Sequence, residues 1–161
     1  MSVVAVRSAT PADADGIAHV HVTAWREAYA ERLAAEFLAS LDESRFARNW
    51  EDILADGVTR GYVAERDGTI VGWATSGPGR DYDAPRGLEL EGIYVLASAY
   101  GTGAGQRLLD AAIGDAPAYL WVMDGNARAE AFYRRNGFAR DGGTATHTLG
   151  ATAVPAVRMT R

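Results

Sequence analysis

From Tyr100 to Gln106 the chain reads YGTGAGQ, with Gly101, Gly103 and Gly105 alternating where a β-like run gives way to a helical one. The first amides of a helix lack an intrahelical acceptor, and the helix dipole favours an anion beside them. Missing side chains at three alternate positions would let a phosphate reach that backbone. The two common phosphate motifs both fail. A dinucleotide fingerprint needs glycine where Gln106 stands, and a Walker loop needs a lysine, which the chain lacks entirely. Taken alone, the glycines fit an empty turn equally well.

Just upstream, LELE sets Glu89 and Glu91 on one face of a strand and Leu88 and Leu90 on the other. Two carboxylates two residues apart raise one another's pKa, as a general base requires. A solvated polar face has the same alternation. Several other chemistries are excluded. Without cysteine there is no thiolate nucleophile, zinc–thiolate site or disulfide, and without lysine no Schiff base. No serine sits in G-x-S-x-G. His19 and His21 diverge from a helix, and His147 is the only other histidine, so no metal site is expected.

These residues must be carried by a chain of 161 residues, nearly half of them apolar, enough for one domain with a real core over 1–161. The net charge is −5, and all 16 basic residues are arginine. Such a chain is a poor general binder of nucleic acid or anionic membranes. Any phosphorylated ligand must be met by arginines and backbone amides. No apolar run is long enough to span a membrane, and the opening MSVVAVRSAT lacks the basic and apolar segments of a signal peptide. A cytoplasmic protein is expected.

The pattern predicts a short strand at Val3–Arg7, then a helix opened by Thr10 and Pro11 with Ile17, Val20, Ala24 and Ala28 at helical spacing. A second helix holds Phe37, Leu38 and Leu41; a third, with Ser44 as its cap, carries Phe46, Trp50 and Ile53. GYVAERDGTIVGWATS is a hairpin around Asp67-Gly68. After the loop SGPGRDYDAPRG come the strand LELEGIYV, a helix over about 103–113, the strand AYLWVM and a helix closed by Gly137. The tail predicts two more strands, with Pro155 near an edge or bulge. This order argues for an α/β fold, a mixed sheet with helices on both faces.

The glycine turn resembles the acetyl-CoA-binding motif of the GNAT N-acetyltransferases, [Q/R]-x-x-G-x-[G/A]. Aligning Gly103 and Gly105 puts Tyr100 at the Gln/Arg position, a departure that removes the usual side chain and keeps the backbone cradle. LWVMDGNARAEAFYRRNGF resembles the family's second block, with Asn126, Phe132, Tyr133, Gly137 and Phe138 in register. VRSATPADADGIAHVHVTAWREAY resembles its amino-terminal opening. Together the segments cover nearly the whole chain.

The resemblance implies the GNAT fold, about seven strands splayed between the fourth and fifth, that is, between the strand ending at Val95 and the strand holding Trp121. It implies acetyl-CoA as cosubstrate and no metal. The pantetheine arm would pair with the backbone of Ile93, Tyr94 and Val95, with Gly92 easing a local bulge. The pyrophosphate would lie on Gly101, Thr102, Gly103, Ala104 and Gly105 beside Tyr100. Asn126 and Phe132 would line the arm, Asn126 alternatively being a helix cap. Tyr133 takes the place of the acid, and Glu89 or Glu91 that of the base, through a water. The oxyanion donor would be a main-chain N–H near Val95 or Leu96. The activity implied is direct acetyl transfer, in a ternary complex, to a primary amine on a small molecule or peptide. A non-catalytic acyl-CoA-binding or sensing module on the same fold is the alternative. Small amine, antibiotic and protein N-terminus are all open as acceptors. Trp25 and Tyr29, four apart on one helix, either wall the acceptor groove or belong to the core. Asp81 and Asp83 are expected to attract a cationic amine, plain solvated loop residues being the alternative, and the family resemblance adds a homodimer.

Overall fold

The computed structural model describes residues 2–149 and 151–161. Strand β1 (Ala5–Ser8) leads through a 3-10 turn into helix α1 (Ala14–Tyr29), followed by α2 (Ala35–Ala39) and α3 (Glu43–Ala55). Then come β2 (Arg60–Arg66), β3 (Thr69–Pro78), β4 (Leu88–Val95), α4 (Ala104–Ala112), β5 (Tyr119–Met123), α5 (Ala127–Arg135), β6 (Ala139–Leu149) and β7 (Thr152–Thr160). The seven strands form one sheet in the order β1-β2-β3-β4-β5-β7-β6. All neighbours are antiparallel except β4 and β5.

Local chemistry sets the connections. Asp67 and Gly68 both have positive φ, 54° and 77°, as the two central residues of a tight hairpin require. Asp42, not Ser44, caps α3, its carboxylate accepting from the amides of Ser44 and Arg45. Pro155 lies in β7, an interior strand rather than an edge. It is tolerated there because it falls beyond the last β5–β7 pair, Met123 with Ala156, and its carbonyl takes the Asp124 amide.

Helices cover both faces. On one, α4 and α5 bury Leu108, Leu109 and Tyr133 against Ala74, Leu90, Leu120 and Met159. On the other, Ile17 and Val20 of α1 and Trp50 of α3 pack on Val63 and Trp73. The end of α1 and α2 meet the β6–β7 hairpin through Tyr29, Leu33, Leu38 and Val154. No helix among the described residues is long and apolar enough to cross a membrane.

His21 sits within that second layer, its ring 4.6 Å from Phe46 and 5.3 Å from Trp73. Its Nδ1 accepts the indole N–H of Trp50 at 3.2 Å. Burial among aromatic rings lowers its pKa to about 4. The unfolded chain takes up this proton near pH 6.5 and the folded one only near 4. His21 therefore favours the fold above pH 6.5, and that contribution, roughly 3 kcal/mol, is lost as the pH falls to 4. Urea midpoints measured from pH 7 to 4 should fall less steeply for His21→Gln than for wild type; parallel curves would exclude a neutral buried His21.

Candidate active site

The site begins where two neighbouring strands part. β4 and β5 share one pair, Glu89 with Tyr119, and diverge beyond it. On its other edge β4 stays joined to β3. Thr75 pairs with Gly92 and Ser76 with Leu90, so Glu91 is an extra residue in a bulge. The bulge switches the alternation: Leu88 and Leu90 face the α4 core before it, Ile93 and Val95 after it. Only glycine fits at 92, since a Cβ there would come within 2.9 Å of the Trp73 ring. The Leu96 amide is bound to the Val71 carbonyl at 2.9 Å. By ladder alternation the backbone groups of Val95 and Ile93 point the opposite way, into the opening beside β5. Of the two expected oxyanion donors, Leu96 is therefore engaged and Val95 is open.

The opening is a cavity of about 450 Å³ lined by Ile93, Tyr94, Val95, Tyr100, Gly101, Gly103, Ala104, Gly105, Asn126, Phe132 and Tyr133, among others. Nearly the whole predicted cosubstrate set is thus gathered on one wall or another. Gly101 and Gly103 have φ of 76° and 84°, which disfavours any side chain, and a Cβ on either would meet nothing within 4 Å. Their amides, with those of Gly105 and Gln106, find no acceptor among the described residues. Thr102 is not in the lining. Its hydroxyl donates to the Ala99 carbonyl at 2.6 Å and accepts from the Ala104 amide, so it shapes the turn. Asn126 caps α5 by accepting from the Ala129 amide and also faces the cavity.

The two carboxylates are not equivalent. Glu89 is 2% exposed and accepts from the Arg80 amide at 3.0 Å, from the Arg80 guanidinium at 3.1 and 2.7 Å, and from the Tyr119 hydroxyl at 3.0 Å. Its acceptor capacity is taken up in fixing the β3–β4 loop across the last β4–β5 pair. Glu91 meets only the edge of the same guanidinium, Nε at 3.1 Å. One cation thus balances one of two carboxylates. Burial raises the Glu91 pKa, partly offset by Arg80. Asp81 and Asp83, expected to attract a cationic amine, are engaged within the protein: Asp81 accepts the Trp121 indole N–H at 2.7 Å, and Asp83 pairs with Arg158 at 3.3 Å. They hold the loop.

Comparison with known proteins places this arrangement. The model of the acetyltransferase (GNAT) family matches residues 21–138, well over half of the chain. The chain belongs to the GNAT family of acetyltransferases. It is 33% identical over 130 residues to an uncharacterised N-acetyltransferase of Bacillus subtilis, covering 76% of this chain and 73% of that one. It is 28% identical over 149 residues to a probable N-acetyltransferase of Mycobacterium tuberculosis, covering 88% and 83%. Among solved structures, a ribosomal-protein-alanine N-acetyltransferase of Brucella melitensis superposes with TM-score 0.69 at 28% identity over 98% of both chains. An N-acetyltransferase of Thermoplasma acidophilum, solved with coenzyme A, shares the fold at TM-score 0.69 and 16% identity, over 98% of this chain and 99% of that one.

In this GNAT enzyme Tyr133 is buried in the cavity wall, and desolvation first, then Tyr29, raises its phenol. Tyr94 is raised likewise, and its hydroxyl lies 3.4 Å from that of Tyr29. Trp25 and Tyr29 do not line the cavity. They pack behind Tyr94, with ring centroids 5.7 Å apart, and α1 presents Ala24 and Ala28 instead. Those alanines, Arg80 and Tyr119 were not legible as site residues. Two are featureless helix positions, and the other two act only through contacts between distant segments. No group of three or more His, Asp or Glu that could hold a metal lies among the described residues.

The raised Glu91 pKa carries a stability cost. Its protonated form favours the fold below the unfolded value of about 4.3, and that advantage is lost as the pH rises through the folded value. Glu91→Gln should therefore melt higher than wild type at pH 7, the gap closing below pH 4. A lower melting temperature at pH 7 would mean that the Arg80 pairing outweighs desolvation.

Proposed function

We propose that this enzyme moves the acetyl group of acetyl-CoA directly to a primary amine within a ternary complex. The observation that carries the reading is the single cavity onto which the open edge of β4, the unpaired amides of the glycine turn and Tyr133 all converge. Its parts fit the cosubstrate: an extended amide-bearing arm can continue the ladder at Ile93 and Val95, and an anion can rest on the amides of residues 101–106. Acetyl-CoA supplies an activated acyl group; a bond forms from the amine nitrogen to the carbonyl carbon, and the carbon–sulfur bond breaks.

The protein then has three tasks. The Val95 N–H donates to the carbonyl oxygen as charge gathers there. Glu91 accepts the proton the amine must lose, through a water. An alkyl amine with a pKa near 10.4 is only about one part in 10³ neutral at pH 7, so a carboxylate with uncompensated charge both attracts the ammonium form and takes its proton. Tyr133 donates a hydrogen bond to the departing sulfur. An ordinary phenol near pKa 10 facing a thiol near 8.5 already makes full transfer uphill by roughly 2 kcal/mol, and burial of Tyr133 raises that cost further, so the proton moves late. Glu89 positions the loop. Tyr133 in the cavity wall, with the partly compensated Glu91 on the β4 bulge two residues before the β4 lining begins at Ile93, favours an enzyme over a sensor. The ribosomal-protein-alanine specificity of the Brucella structure's protein adds a peptide N-terminus to the acceptors worth testing.

Release of CoA thiol should be followed over a panel of small amines and short peptides. Turnover on one acceptor class is expected, with kcat about 100-fold lower or more in Tyr133→Phe and CoA affinity little changed. Glu91→Gln should lose activity most above the acid limb of the wild-type profile, where the carboxylate is ionised, and the limb itself should disappear. CoA binding without turnover on any acceptor would favour the sensing module, and an unchanged kcat in Tyr133→Phe would remove that residue from the chemistry.

A further inference from the structure

The turn that replaces the family's Gln or Arg with Tyr100 has a cation beside it from another element. The Arg128 guanidinium, from the first turn of α5, lies 3.7 Å over the centroid of the Tyr100 ring. Both residues line the cavity, and Tyr100 is 41% exposed. Arg128 makes no ion pair or hydrogen bond among the described residues, whereas its neighbours Arg134 and Arg140 are both tied to Glu130, at 3.3 and 2.5 Å. A chain with a net charge of −5 has acidic groups to spare, yet this guanidinium rests on an aromatic face.

A guanidinium on a ring uses its face and leaves its N–H groups, which point outward in its own plane, free to donate. The ring fixes its position at little cost to that capacity. Tyr100 immediately precedes Gly101 and Gly103, whose amides are unpaired. The cation therefore stands beside a row of amides that has no acceptor of its own, and both face the same space.

We propose that Arg128, shelved on Tyr100, donates with the amides of the glycine turn to the phosphates of the cosubstrate, and so sets its selectivity for the nucleotide-bearing thiol over pantetheine alone. The inference rests on the acetyl-CoA reading above and assigns a binding role to residues outside the chemistry. Two chain segments 28 positions apart thereby supply what one side chain in the turn would otherwise supply.

The test is binding, by calorimetry, of CoA and of pantetheine to wild type, Arg128→Ala, Tyr100→Phe, Tyr100→Leu and Arg48→Ala, the last a remote charge control on α3. Loss of a charge-assisted donor predicts CoA binding weaker by about tenfold to a hundredfold in Arg128→Ala, with pantetheine unchanged. Tyr100→Phe, which keeps the ring, should match wild type, while Tyr100→Leu should lose roughly twofold to fivefold for CoA only. Arg48→Ala should bind both as wild type does. Equal weakening for CoA and pantetheine in Arg128→Ala, or none for either, would overturn the proposal while leaving the acetyl-CoA reading intact. Failure of wild type to bind CoA would overturn both.

Discussion

Everything at this site depends on two parallel strands that pair once and then separate. A strand edge left open inside a protein exposes N–H and C=O groups that must find partners. Here β4 meets that demand on one side only: it is held along β3 and bare toward β5. The bulge at Glu91 and the absence of a side chain at Gly92 let the strand turn its open edge outward while Leu90 and Val95 remain on one core face. Helices α4 and α5 close the split from that face, the first through its amino-terminal amides and the second through Asn126, Phe132 and Tyr133. The opening is thus a missing strand partner with a row of unpaired amides at one end, among the described residues.

The same junction explains why two neighbouring glutamates have different fates. A carboxylate at the last β4–β5 pair is in reach of Tyr119 and of the β3–β4 loop, and both close on Glu89. Once Arg80 is bound there, its remaining reach to Glu91 is a single edge. Two negative groups and one positive group leave the half-buried Glu91 without full compensation. Burial makes that charge costly to the fold, and the same cost makes the carboxylate a better proton acceptor.

Much of the fold was legible because it is written in local chemistry. The Asp67-Gly68 hairpin, the alternation of LELE and the glycine closing α5 each reflect a backbone requirement that few residues satisfy. The glycine-turn wall of the cavity was legible for the same reason, being built largely of main chain, which shows in the sequence as glycines at fixed spacing. The misreadings have a common cause. Trp25 and Tyr29 read equally as groove or core, and only the packing of α1 on Tyr94 decides it. Asp81 and Asp83 look solvated in a loop until Trp121 and Arg158 arrive from strands 40 and 75 residues further along. Pro155 signals an edge, and the edge it uses is the local end of β5 rather than the border of the sheet.

That contrast bears on how charge is distributed around Glu89 and Glu91. Side chains of the β3–β4 loop, β4, β5 and β7 close into pairs there: Arg80 with Glu89, Asp81 with Trp121, Asp83 with Arg158. Paired groups fix shape and contribute little net field. Of the acidic groups singled out there, Glu91 is the one whose charge is only partly offset. The shape of the β3–β4 loop rests on Glu89, which Arg80 and Tyr119 hold in place. A change at Glu89 therefore acts on the loop, and a change at Glu91 acts on a half-buried and only partly offset charge, although the two residues are separated by a single leucine.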